Sequence, residues 1–406
     1  MKTRDRQLAV LDLGSSTVNV LVAETDGNGG LRLCGSGSAE SKGFRKNVLI
    51  NLDAAVDATR QAVEAAEQAA GLTVERAVIS VAGAHIRSVN SRGGVSLGLR
   101  PREVVTEDVR RAIEAAQSVS LPPGQELLHV LPQEYLLDNQ GGIRDPLGLL
   151  GRRLEVNVHL VTSEATTTQN LVSVANRAGV VVEDTVLVSL AAAHACLTRD
   201  ERELGVVLAD IGGGSTNWII LEHGAPRASG VLPVGGEHFT NDIAIGLRVP
   251  LWEAERIKRA YGCAGLRWIG QDTLLEVASL GERPARVTSR RALCEIIEPR
   301  ALELLELLRE ELDHSGYGRL PATGLVLTGG GAQLDGLAEL AAQFFQWPVR
   351  VGLPQGLLDA GGTLADAACA TPVGLLLHAQ RLQRARLELN GDWWGRLRTF
   401  FSGRAA

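Results

Sequence analysis

Cysteine is sparse and scattered in this chain. Its five residues, Cys34, Cys196, Cys263, Cys294 and Cys369, are odd in number, far apart and without a CxxC spacing, which argues against a disulfide framework or a zinc site. The eight histidines form no HExxH pair, so the metalloprotease signature is missing. No Gly-Lys dipeptide occurs, and with it goes the phosphate-binding lysine of a Walker loop. Lysine itself is rare, with four residues in a chain rich in arginine. No basic stripe crosses the sequence, and 41 Lys and Arg against 47 Asp and Glu leave a net charge of −6. Nucleic acid is therefore not an expected partner. No apolar run approaches the roughly 18 residues of a spanning helix. The polar start MKTRDRQ leads straight into a strand and does not read as a signal peptide, so a cytosolic protein is expected. Gly94 to Gly98 matches GxSxG around Ser96, but Leu99, Arg100 and Pro101 follow where a nucleophile elbow needs a helix, and the match is read as chance.

What the chain does have is glycine, in a repeated setting. Asp12 to Thr17 reads DLGSST and Asp210 to Thr216 reads DIGGGST. Each turn follows an apolar strand (Leu8 to Leu11; Val206 to Ala209) and precedes another (Val18 to Ala23; Trp218 to Leu221), and each reaches a further turn glycine, Gly27 or Gly224. Two β-hairpins of one design point to an internal duplication. At such turns Gly14, Ser15, Ser16 and Thr17, and Gly212, Gly213, Gly214, Ser215 and Thr216, let backbone N–H groups approach an anion. Asp12 and Asp210 at the strand ends suit a metal ion held through water. A third turn, Gly329, Gly330 and Gly331 after the short strand Leu325 to Leu327, lacks side chains where a flat base would lie.

These three turns in this order resemble the actin-like ATPase superfamily. The implied fold is α/β, a duplicated actin-like (ribonuclease H-like) core. Between its halves, Gly83 to about Glu164 breaks the pattern. Strands near His85 to Asn90, Leu127 to Leu137 and Leu154 to Val161, with a helix over Glu107 to Val119, read as a small α+β inserted domain. There His129 to Tyr135 reads HVLPQEY and Ile143 to His159 reads IRDPLGLLGRRLEVNVH. Both resemble the inserted domain of the FtsA family of bacterial cell-division proteins, as does AERIKRAYGCA around Lys258. The chemical role of His129, Gln133 and His159 is read as none, since satisfied polar residues of an ordinary small domain account for them. The expected domains are 1–83 with 165–195 and 363–389 as the first core half, 84–164 as the insertion, 196–238 with 320–362 as the second half, 239–319 as a helical subdomain over the nucleotide, and 390–406 as a linker and terminal helix.

Further helices are expected over Leu52 to Gly71, Thr166 to Gly179, the alanine-rich Ser189 to Leu197, Phe239 to Gly246, Trp252 to Tyr261, Arg290 to Leu312 with an interruption at Pro299, and Ala367 to Gln380. At the C-terminus, Trp393, Trp394, Leu397, Phe400 and Phe401 fall on one helical face with Arg396 and Arg398 beside them. That composition suits a helix lying in an anionic bilayer surface; docking on its own protein or a neighbour is the other use.

The resemblance implies ATP and Mg²⁺ between the core halves. Asp12 and Asp210 would hold the metal through water, the two turns would donate to the phosphates, Gly235 and Gly236 would lie beside the ribose, and Gly329 to Gly331 under the adenine. Glu255 and Lys258, three apart on one helix face, are either a solvated ion pair or the contact to the sugar edge. Partners implied are a filament of the chain itself, the C-terminal peptide of the tubulin-like protein FtsZ with Arg291 and Arg300 as anchors, other division proteins through the insertion, and the cytoplasmic face of the inner membrane at the division site. The family usually has Lys at Thr17 and an acidic residue at Asn217, so hydrolysis is expected to be weak or absent, and no catalytic base is assigned. A pilus-assembly scaffold and a small-molecule kinase of the same superfamily are the alternatives.

Overall fold

The structure is a computed structural model that describes residues 7–26, 29–281, 284–317, 321–358, 362 and 364–388, with the backbone alone for 385–388. Gly27 and the terminal segment 390–406, with Trp393, Trp394, Arg396, Leu397, Arg398, Phe400 and Phe401, lie outside the described residues.

Two five-stranded sheets share one topology. In the first, Leu31–Glu40, Thr17–Thr25 and Gln7–Leu13 form an antiparallel meander, to which Arg76–Val81 and then Val181–Leu187 add in parallel. In the second, Ala225–Leu232, Thr216–Glu222 and Val206–Ile211 repeat the meander, followed in parallel by Leu325–Thr328 and Val349–Val351. The central strand Val206–Ile211 is buried at every residue, as a near-continuous apolar run covered on both faces should be.

Helices join and cover the sheets. Leu52–Ala70 buries Ala55, Val56, Ala58, Thr59, Ala62, Val63 and Ala66 at helical spacing, starts at the Asn51 side chain, which accepts from Ala54 N, and ends at Gly71 with φ 65°. These are the cap types expected at each end. Val188–Cys196 bridges the halves and is buried along its length except at His194. Ala370–Glu388 crosses it so tightly that a Cβ on Gly374 would lie 1.8 Å from the Ala191 carbonyl oxygen. Only small residues permit that crossing.

The inserted domain folds around its own core, which includes Val109, Ile113, Tyr135, Leu154, Val156 and Leu160. Its sheet runs in the order Gln140–Ile143, Gln125–Leu137, Arg153–Glu164, Arg87–Ser96, and Thr106–Gln117 is its helix. Its polar residues are satisfied, as expected, and they are satisfied by forming its seams with the core. Gln133 Nε2 donates to the Pro226 carbonyl at 2.9 Å, Ser88 Oγ to that of Ser229 at 2.7 Å, and Asn90 Nδ2 to that of Arg227 at 3.0 Å. His159, 1 % exposed, bonds Asn90 Oδ1 and Ser229 Oγ at 2.7 and 2.8 Å. Burial pushes its imidazole down to about 4, so it is neutral there at pH 7. His129 belongs to a second seam, accepting from Leu187 N at 3.0 Å.

The helices Gly236–Leu247, Leu251–Tyr261 and Arg290–His314 share one apolar core with the second sheet. The interruption expected at Pro299 does not occur. The helix runs through it, and its buried stripe (Leu293, Cys294, Ile297, Ala301, Leu304, Leu305, Leu308, Leu312) keeps one phase on both sides. Burial on either side outweighs the loss of one N–H and the ring's clash.

Candidate functional site

The two glycine turns are copies in geometry as well as sequence. Each spans four residues and is closed by the same bond, Gly14 N to Thr17 O at 3.1 Å and Gly212 N to Ser215 O at 2.9 Å. In each, the aspartate pairs in register with an asparagine, Asp12 with Asn19 and Asp210 with Asn217. Each asparagine amide then points back into its turn, Asn19 Nδ2 to Thr17 Oγ1 at 3.3 Å and Asn217 Nδ2 to Ser215 Oγ at 3.4 Å. Thr17 is therefore the counterpart of Ser215, and Thr216, its apparent match by sequence, opens the following strand with its hydroxyl committed to the Val234 carbonyl at 2.8 Å.

The turns meet face to face. A Cβ on Gly213 would sit 2.0 Å from Ser16 Oγ, and Ser16 Oγ in turn donates to Glu237 Oε1 at 3.1 Å. Asn47, from a short hairpin between the first meander and the helix 52–70, touches both turns. Its backbone N–H donates to Ser15 Oγ at 2.9 Å, its amide to Ser215 Oγ at 2.7 Å, and Ser15 Oγ donates to its Oδ1. Sequence reasoning missed Asn47, its neighbour Lys46 and Glu237. Glu237 follows directly on the Gly235-Gly236 pair and could have been found there; Lys46 and Asn47 are distant from either turn in sequence and carried no local signal.

Both aspartates are held by a hydroxyl. Ser80 Oγ donates to Asp12 Oδ1 and Thr371 Oγ1 to Asp210 Oδ2, each at 2.7 Å. Burial raises both carboxyls, with their hydroxyl partners opposing it. Asp210, 5 % exposed, is pushed up to about 7, with the Asp12 charge adding to the effect. Two buried carboxyls that resist ionising form a place where a cation is favoured. Asn217 Oδ1, on the residue paired with Asp210, is buried without a hydrogen-bond partner.

Beyond the second turn, Gly236 opens a helix and its carbonyl accepts from Lys258 Nζ at 2.9 Å. Lys258 also meets Thr240 Oγ1 at 2.8 Å and Glu255 Oε2 at 2.6 Å. Burial alone would raise Glu255, yet Lys258, Thr240 and Arg259 bring it down to about 2. The structure thus gathers Glu255, Lys258, Gly235 and Gly236 in one place. Gly329 packs against Asp210 and Ile211 and Gly331 against Ile211, while Gly330 is exposed.

Arg291 and Arg300 are not brought together. Nine residues apart on one uninterrupted helix, they fall about 180° apart around its axis. Arg291 is exposed beside Glu295 at 3.2 Å. Arg300 turns to Asp242 on the helix 236–247 at 2.6 Å and to Glu303.

Among solved structures, the fold is similar to a PilM–PilN type IV pilus biogenesis complex (TM-score 0.67, 19 % identity, 92 % of this chain and 98 % of that one). It is also similar to MreB5 of Spiroplasma citri bound to ADP (TM-score 0.56, 15 % identity, 95 % and 99 %). The duplicated sheets and their paired turns make this an actin-like protein with an inserted α+β domain. The family model described as cell division protein FtsA matches residues 207–374, and that described as the SHS2 domain inserted in FtsA matches 83–162. The cell division protein FtsA of Pseudomonas aeruginosa is 42 % identical over 93 % of this chain and 90 % of its own length. The chain belongs to the FtsA family of cell-division proteins.

Proposed function

We propose that this chain is an ATP-binding adaptor of cell division, one that assembles on the cytoplasmic face of the bacterial inner membrane, binds the C-terminal peptide of FtsZ and helps to build the division septum. The observation that carries the nucleotide half of this reading is the meeting of the two Asp-Gly turns, with Asp12 and Asp210 at their bases. Turn N–H groups from both halves would then cradle the phosphates. The pair Glu255 and Lys258 would take the sugar edge, with Gly330 open toward the base.

Mg²⁺ fits the donors present. It is bound in such sites through one or two carboxylates and the phosphates rather than by an all-protein cage, and among the described residues no cluster of three or more ligating side chains exists. Asp12 and Asp210 would hold it through water, and it would supply neutralisation of phosphate charge. No general base is assigned, and hydrolysis is expected to be slow. Nucleotide would set the relation of the two halves, and with it assembly.

The membrane half of the proposal rests on the sequence of 390–406, and the peptide site on the family. Given the geometry of the helix 290–314, Arg291 and Arg300 would act on separate faces, with Arg300 reaching a peptide only by leaving Asp242. The pilus-scaffold alternative has fold similarity behind it at 19 % identity, whereas similarity in sequence along nine-tenths of the chain is to cell-division proteins. Equilibrium dialysis with labelled ATP and Mg²⁺ tests the nucleotide half. Saturable binding of one ATP per chain, lost in Gly213→Val, is expected, and a wild-type chain that retains no ATP contradicts the reading.

A further inference from the structure

Neither glycine turn carries a lysine or arginine, and the walls around them are acidic. Asp12 and Asp210 stand at their bases, and the Glu237 carboxylate reaches Ser16 between them. A polyphosphate entering this space would meet three carboxylates, and Lys258 is already tied to the Gly236 carbonyl, Thr240 and Glu255, which leaves a metal ion to offset them at the turns themselves. The structure nevertheless delivers a cation from elsewhere.

Phe44–Arg45 and Val48–Leu49 pair as a miniature hairpin whose two-residue tip is Lys46 and Asn47, with φ 51° and 60°. Two consecutive left-handed residues make the primed turn that tight hairpins prefer. Asn tolerates that conformation; lysine pays about 1 kcal/mol for it, so its surroundings must hold it there. They do so at several points. Gly43 O accepts from Ile50 N and Asn51 N at 2.8 and 3.1 Å, Ser41 N donates to Ser16 O at 3.0 Å, and Asn47 bonds both turns as described above. The Lys46 Cα lies so close to the second turn that a Cβ on Gly214 would approach it to 2.8 Å.

The side chain of Lys46 is exposed, and no ion pair engages it among the described residues. Its charge is felt at the mouth of the helix that begins at Gly236. His238 there is held below the usual histidine range first by burial and next by Lys46.

We propose that Lys46, presented by the hairpin 44–49, is a phosphate-binding residue that supplies the cation missing from both glycine turns. The inference rests on the nucleotide reading above and extends it to a residue that neither turn contains. Asn47 shares the task by bonding the serine of each turn, so the hairpin forms a third wall of the phosphate site.

Titration calorimetry with ATP·Mg²⁺, ADP·Mg²⁺ and adenosine tests this on the full chain. Lys46→Ala is expected to weaken ATP and ADP binding by about tenfold or more, the loss of one charge-assisted contact, and to leave adenosine unchanged. Lys42→Ala removes the same charge four residues away, where the lysine is exposed and off the turns, and should bind like wild type. Thr17→Lys placed in the Lys46→Ala chain should recover most of the loss by putting a cation on the first turn. If wild type binds ATP and Lys46→Ala binds it as Lys42→Ala does, the inference fails and the nucleotide reading stands. If wild type binds none of the three ligands, both fall.

Discussion

Asp210 is the residue at which the site's chemistry and the stability of the fold meet. Its folded value of about 7 lies above its ordinary 3.8, so the folded state holds this proton more tightly than the unfolded chain. Its contribution is therefore fully present below about pH 4 and is lost as pH rises through about 7. Asp210→Asn removes that dependence. Without nucleotide, the variant should gain thermal stability relative to wild type between pH 5 and 8, by at most about 1.4 kcal/mol per pH unit; differential scanning of the pair across that range checks it. Binding a cation must expel the same proton, so wild-type affinity for ATP·Mg²⁺ should rise with pH through about 7, and in Asp210→Asn that rise should vanish. Asp12, Asp210 and the glycines around them were legible in the sequence because Asp-Gly turns between apolar strands have a local grammar. The pairing of Thr17 with Ser215 was not, since matching letters (ST with ST) differ from matching turn positions by one residue. Lys46 and Asn47 were invisible for a different reason. Their role comes from a hairpin that folds back onto residues about 30 and 170 positions away, and nothing local encodes that.

Elements whose burial is periodic were readable, and those held by polar contacts across domains were not. The helix 52–70 announces itself by apolar spacing and caps, the helix 188–196 by its run of alanines, and the meander strands by their apolar runs. The seam of the inserted domain rests instead on Ser88, Asn90 and Gln133 meeting backbone carbonyls and His159 meeting the Ser229 hydroxyl, 70 to 141 residues away. Replacing His159 by Leu should leave Asn90 and Ser229 short of a partner in a buried seam and destabilise the chain by about 1–3 kcal/mol. Hydrogen exchange should then rise in the strands 87–96 and 225–232 more than in 206–211. Where the halves join, Gly374→Ala forces a methyl into the Ala191 backbone. Overpacking against backbone should cost about 3 kcal/mol, read as a lower urea midpoint. The proline rule failed at Pro299 because a core stripe on both sides fixes the helix more strongly than one absent hydrogen bond weakens it.

At the scale of the whole molecule, two copies of one sheet meet at turns that would grip the same anion from opposite sides. A clamp of that kind makes the relation of the halves depend on what lies between them. The inserted domain is bonded to the strand Ala225–Leu232 of the second half while its chain enters and leaves through the first, at the ends of the strand 76–81 and the start of the helix 165–177. A change in the clamp would therefore reach a surface available to neighbouring subunits. If the segment 390–406 binds a membrane as proposed, self-assembly would multiply that weak contact, since many copies on one filament act through effective concentration. The most direct test of the adaptor reading is co-sedimentation with anionic liposomes and ATP·Mg²⁺, comparing the full chain with one ending at Leu389, each with an FtsZ C-terminal peptide. The account predicts that the full chain alone pellets and carries the peptide down. Equal pelleting of both chains, or a full chain that pellets without the peptide, would contradict it.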